Sequence, residues 1–300
     1  MMRAGNFILK QCKAMLESKQ QAIIFAAIFS VLPFASWLSV ALVCLVTLRK
    51  GARSGFDVLL PALVIHSVPL MMLIPLSGAI INTLIAYLPC YFAALSLRNT
   101  EKWQMASGVF FVLAFLGCLL IQLLAPGFIV EQFRLFKIIL TQYQELVDPA
   151  LNGINSVILA QLFFGIQILS VIVSATISLM FARAIQAKLF LPGGFRNELM
   201  LFRSGRISFL VFTGISLATF YEIPLAMNVL PIVLCYFLAS GFGLVYFIFS
   251  QKRQVKIFVL LMLLILVKPT FVLCTYIILG LLDSLVNFRS YFPSRVGESI

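Results

Sequence analysis

The stretch "LILVKPTFVLCTYIILGLLDSLVNFR" (264–289) decides how the rest of the chain is read. It is an apolar run long enough to cross a bilayer. Yet it holds Lys268 and Pro269 inside it, carries Asp283 near its end and puts Arg289 six residues further on. In water such charges cost little; in hydrocarbon each is expensive. Composition tells which solvent applies. Of the 300 residues 62% are hydrophobic and 11% charged, against about 25% charged in a soluble domain. So few charges cannot build a water-exposed surface, so lipid is the solvent. The sequence predicts an all-α polytopic transmembrane helix bundle, a single integral membrane domain over 1–300.

Six apolar runs reach the roughly 20 residues that a spanning helix needs. They lie near 55–74, 77–97, 105–124, 155–182, 205–221 and 224–250. Two terminal runs, 21–48 and 256–283, would each be about 42 Å as one helix, longer than the roughly 30 Å hydrocarbon core. Pro33 interrupts the first and Lys268-Pro269 the second. Each is therefore a kinked span or a hairpin of two short helices, for eight to ten membrane segments in all. In a hairpin, Lys268 sits at the turn with its ammonium in water and Pro269 starts the returning helix.

Charge favours the hairpins. The net charge is +12, but the bases form short clusters between apolar runs and make no single patch for nucleic acid. That is the distribution of cytoplasmic loops. With 1–20, 49–53, 98–102, 183–206, 251–256 and the tail from 284 on the inside, only Arg134, Lys137 and Lys268 stay outside. Both termini are then expected in the cytoplasm, and 183–206 is expected as a cytoplasmic loop. The segment 126–149 alternates Glu131, Arg134, Thr141, Glu145 and Asp148 with Phe133, Phe136, Leu140, Tyr143 and Val147. It reads as an outer amphipathic helix from Pro126-Gly127 to Pro149, lying in the interface or capping the bundle. No small-x-small site follows the run "AIIFAAIFSVLPF", so a cleaved leader is not expected.

Parts for catalysis are missing. His66 is the one histidine, and the three aspartates, Asp57, Asp148 and Asp283, fall outside mid-span positions. No glycine-flanked nucleophile, phosphate loop or dinucleotide fingerprint stands out. The six cysteines have no metal or redox spacing and read as small buried hydrophobes. The sequence predicts neither an enzyme nor a resident cofactor or metal. Intramembrane polar groups are instead candidates for a solute site: His66, Asn82, Gln161 and Gln167. For His66 the plain alternative is a bond to a carbonyl freed by Pro69. Gln167, Ser170, Ser174 and Ser178 form one stripe and Ala22, Ala26 and Ser30 another. Either is a close-packing face or a polar lining.

The segment "ARAIQAKLFLPGGFRNELMLFRSGR" (182–206) is more distinctive than any span. Its basic-aromatic approach, Pro-Gly-Gly-Phe-Arg turn and following Glu resemble the YybS-like family of bacterial polytopic membrane proteins, a family with a domain of unknown function. The tail "LGLLDSLVNFR" resembles that family's Gly…Asp…Phe-Arg ending. The resemblance carries over Pro192, Gly193, Gly194, Phe195, Arg196, Glu198, Arg203, Asp283 and Arg289 as pattern residues and implies a multi-pass bacterial inner-membrane protein. A weaker likeness joins such proteins to the substrate-binding subunits of energy-coupling-factor vitamin transporters, whose small-residue docking face the Ala22/Ala26 stripe is similar to. Two functions are consistent with this. One is binding or transport of a small molecule, together with other membrane subunits. The other is an adaptor whose 191–206 segment recruits a partner. Arg196 and Arg203, seven apart, are expected on one helix face. Asp283 is expected either to pair with Arg196, Arg203 or Arg206, or to cap a short helix from Ser284.

Overall fold

The computed structural model describes residues 2–32, 35–73, 75–141, 156–251 and 255–291, and every regular element among them is helical. In chain order these are α1 (Met2–Glu17), α2 (Lys19–Val31), α3 (Ser36–Lys50), α4 (Ala52–Met71), α5 (Leu76–Thr100), α6 (Trp103–Leu124) and α7 (Pro126–Thr141). There follow α8 (Ser156–Phe190), α9 (Gly194–Leu201), α10 (Arg206–Phe220), α11 (Pro224–Gln251), α12 (Val255–Val267) and α13 (Pro269–Leu285). A 3-10 turn, Phe288–Tyr291, ends the described chain. Five helices are long and apolar enough to cross a membrane: α4, α5, α6, α8 and α11. The expected span at 205–221 is shorter. Its helix α10 has 15 residues, about 22 Å at 1.5 Å per residue, and becomes a sixth span only when joined to α9 across a bend. The chain is a multi-pass helical membrane protein.

The chain expected as one domain packs as two compact units, each discontinuous in sequence. The first holds Met1–Leu113 and Ser170–Glu198, the second Ala114–Leu169 and Leu199–Ile300.

In the first unit the run 21–48 is a hairpin. Ser18 caps α2, its hydroxyl accepting from the amide of Gln21. The chain breaks beside Pro33, which lies with Phe34 outside the described residues, and α3 returns along α2, where Ser39 Oγ donates to the Ala26 carbonyl at 2.7 Å. Lys19 Nζ meets Asp57 Oδ2 at 2.7 Å, so the start of α2 lies level with the second turn of α4. Ala22, Ala26 and Ser30 are buried against α3 and α4. The stripe is a close-packing face inside the unit. Gly51 reverses the chain between α3 and α4 at φ 97°, a conformation that costs glycine little.

In the second unit α11 and α13 touch backbone to backbone. A Cβ at Gly241 would collide with the Tyr276 carbonyl and one at Gly280 with the Phe237 carbonyl. Val245, Val272 and Tyr276 form a core there, with Leu261 and Ile265 packed against it. The run 256–283 breaks at Lys268, which is exposed, and Pro269 opens α13 as expected. On α7, Ile129, Phe133 and Phe136 face inward, with the Phe136 ring stacked 4.2 Å from Phe163 of α8. Glu131 and Arg134 pair on its exposed side. The helix expected from Pro126 runs to Thr141 in the described residues; its predicted end at Pro149 lies outside them.

The loop expected at 183–206 is mostly helix. Residues 183–190 extend α8, whose 35 residues reach about 52 Å, well past the hydrocarbon core. Only a turn at 191–193, with Gly193 at φ 88°, and the link 202–205 are non-helical. The buried arginine of this helical stretch is tolerated because Glu198 pairs with it.

Candidate functional site

His66 is half-buried on α4, and its Nδ1 lies 2.9 Å from the Ser30 carbonyl in the last turn of α2. A helix's last carbonyls have no intrahelical partner, so the carbonyl His66 satisfies comes from the end of α2 and was not freed by Pro69. A carbonyl only accepts, so Nδ1 must carry the proton. In the neutral ring Nε2 is then the acceptor. The Tyr87 ring stands edge-on to the imidazole at 5.4 Å. Its hydroxyl donates to Ser39 Oγ at 2.9 Å, and Ser39 donates on to Ala26. This chain fixes the ring from both sides.

The imidazole faces a recess of about 270 Å³, formed within the first unit by α3, α4, α5 and α8. Trp37, Tyr87 and His66 give it aromatic walls, and Ser36, Ser170 and Ser174 line it with hydroxyl groups. Among the described residues no carboxylate, lysine or arginine lines it.

The predicted solute-site residues divide. His66 reaches the recess together with Ser170, Ser174 and Ser178 of the predicted stripe. Gln167, one turn earlier, is exposed and does not line it, nor does Asn82, which is exposed on α5. Gln161 is buried in the second unit. There its Oε1, and both side-chain atoms of the fully buried Asn228 on α11, meet no hydrogen-bond partner among the described residues. Asn228 lies against Gly165, one turn along α8 from Gln161. Trp37, Tyr87 and Ser39 were not singled out from sequence, since an aromatic or a serine in an apolar run carries no pattern of its own.

The pattern residues form two separate knots. In the first unit Arg183, nearly buried, donates from Nε to both carboxylate oxygens of Glu198 at 3.0 and 3.2 Å, and from Nη1 to Gln186 at 2.7 Å. Trp103 Nε1 donates to Glu198 at 3.1 Å, and Phe195 packs edge-on against the Trp103 ring. Glu198 is thus an anchor for Arg183, which the sequence reading passed over. In the second unit Asp283 is fully buried between Arg289, 3.4 Å away, and Arg203, 3.9 Å away. Arg203 also donates to the carbonyls of Asp283 and Ser284. Arg289 donates to the carbonyls of Met200 and Phe202.

Arg289 pairs with Asp283 because α13 ends at Leu285, between the two residues. One expectation is corrected here. Arg203 lies beyond the end of α9, so it shares no helix face with Arg196. No side-chain oxygen of Asp283 caps the amides at 285 or 286; both oxygens are buried without a hydrogen bond among the described residues and face the two arginines only at ion-pair distance. Pro192, Gly193 and Gly194 make the turn into α9 and take no part in either knot. Among the described residues no group of three metal-ligating side chains occurs. No family model matches the chain, and comparison with curated proteins and with solved structures gives no match.

Proposed function

We propose that this protein binds a small solute within the membrane and serves as a transporter-like subunit. The observation that carries the reading is the His66 recess. An intramembrane histidine, oriented by a carbonyl and a buried tyrosine, offers Nε2 beside a row of serine hydroxyls. A ring serving only to tie helices together needs no hydroxyl-lined space on its other side. With no charged side chain in the lining, the recess suits a small uncharged molecule that donates to Nε2. The resemblance read from residues 182–206 and from the tail supports a bacterial inner membrane as its location.

The test is mass spectrometry of small molecules retained by the gently purified protein, repeated on His66→Ala and Ser174→Val. A molecule retained by the wild type and lost from both variants supports binding. No retained molecule, or one held equally by all three, transfers the function to the second reading, an adaptor. That reading rests on a separate observation: the 191–206 segment is held by both arginine knots while Leu191 and Leu201 stay 61% and 73% exposed.

A further inference from the structure

The turn between α3 and α4 gathers four cations. Arg49, Lys50 and Arg53 flank Gly51, and all three are exposed. Arg98, from the last turn of α5, reaches the same turn. Its Nη1 donates to the Thr47 carbonyl at 3.1 Å and would lie 2.8 Å from a Cβ at Gly51. Arg49 lies over the Phe190 ring at 3.9 Å, at the end of α8 and two residues from Lys188.

Among the described residues no ion pair joins any of these cations to a carboxylate. Asp57, six residues past Gly51, is taken by Lys19 at 2.7 Å. The first turn of α4 holds no acidic residue. Two of the four positive groups are held in place, Arg98 by a carbonyl and Arg49 by a ring, and two, Lys50 and Arg53, are free to close on a ligand.

We propose that this turn is a binding site for a phosphate-bearing anion, namely the headgroup of an anionic phospholipid. The reason is where the cations stand. They sit at the ends of three apolar helices, where side chains meet the headgroup layer and basic residues attract anionic lipid. Arginine also matches phosphate oxygens with two parallel donors. An exposed cation cluster at this depth has the bilayer's own phosphates as its nearest abundant counter-charge.

The test uses the full-length purified protein in nanodiscs of phosphatidylcholine carrying a minor fraction of phosphatidylglycerol. Native mass spectrometry counts the phosphatidylglycerol retained. Lys50→Gln/Arg53→Gln is the informative variant, since neither side chain has a recorded partner whose loss would disturb folding. Lys10→Gln/Arg206→Gln removes equal charge elsewhere and serves as control. Retention by the first variant is expected to fall about thirty-fold, from two cations at the membrane surface, with the control unchanged. Equal falls in both variants, or none in either, overturn the site. Inorganic phosphate is added in a second arm. Displacement of the lipid by millimolar phosphate would overturn the lipid assignment in favour of free phosphate, and undisturbed lipid supports it.

Discussion

Glu198 shows how a single residue can hold charges together near a membrane. Its carboxylate receives Arg183 through two nitrogens and Trp103 through the indole, at 10% and 19% side-chain exposure for Arg183 and Glu198. Removing one member strands the other in a poor solvent, at about 3–5 kcal/mol. Glu198→Ala is therefore expected to lower the thermal midpoint in micelles sharply. Glu198→Gln, which still accepts from Trp103, should lower it less. Replacing both ends, as Arg183→Met/Glu198→Leu, should recover much of the loss, which a double-mutant cycle measures. A melting curve of Glu198→Ala that matches wild type would remove the anchoring role. The same reasoning ranks the arginines of the second knot. Arg289 is 9% exposed and binds two carbonyls besides Asp283, while Arg203 is 25% exposed. Arg289→Ala should destabilise more than Arg203→Ala, and the opposite order in denaturant titrations would show that Arg203 is the main partner. Glu198, Asp283 and Arg203 were legible as pattern residues; Arg183 was not, because a base at the end of an apolar run reads first as a topology signal.

At the scale of elements, the backbone contact of α11 with α13 is the most exacting join. Glycine is required on both sides because a Cβ would meet a carbonyl rather than a movable side chain. Gly241→Ala or Gly280→Ala should push the helices apart at about 1–3 kcal/mol, as overpacking does. Gly214→Ala on α10 is the matched contrast, since a Cβ there meets nothing within 4 Å. It should be neutral or gain up to about 1 kcal/mol from helix propensity. Equal melting temperatures for Gly241→Ala and Gly214→Ala would remove the close contact from the account. The glycines themselves are visible in the sequence, but which face of α11 they share with α13 depends on a partner 39 residues away. Prolines were more informative. Pro33 and Pro269 mark the breaks in both terminal runs, and Pro126 marks the start of α7, because proline's effect is local. What stayed hidden was the helical state of 183–201. Its charge density resembles a loop, and only the Glu198 pairing explains why Arg183 can be buried in a helix.

For the whole molecule the open quantity is which side of the membrane each end faces, and the hairpin of α2 and α3 bears on it. The Lys19–Asp57 pair puts the start of α2 beside the start of α4. The first run therefore returns the chain to the level it left, as the distribution of lysine and arginine required. Carrying the same distribution through the spans puts Lys19 and Leu201 on the cytoplasmic side and Glu131 and Lys268 on the other. Single cysteines at these four positions test the arrangement, since all four side chains are exposed. Of the native cysteines, Cys274 alone is classed as exposed, so replacing it gives a quiet background for a membrane-impermeant maleimide. In right-side-out vesicles, Glu131→Cys and Lys268→Cys should react and Lys19→Cys and Leu201→Cys should not. In inverted vesicles the pattern should reverse. Reaction of Leu201→Cys from outside would overturn the charge-based arrangement as a whole. Failure of Lys268→Cys alone from both sides would instead put its ammonium at lipid depth, where it costs about 3 kcal/mol, and make 256–283 a single kinked span.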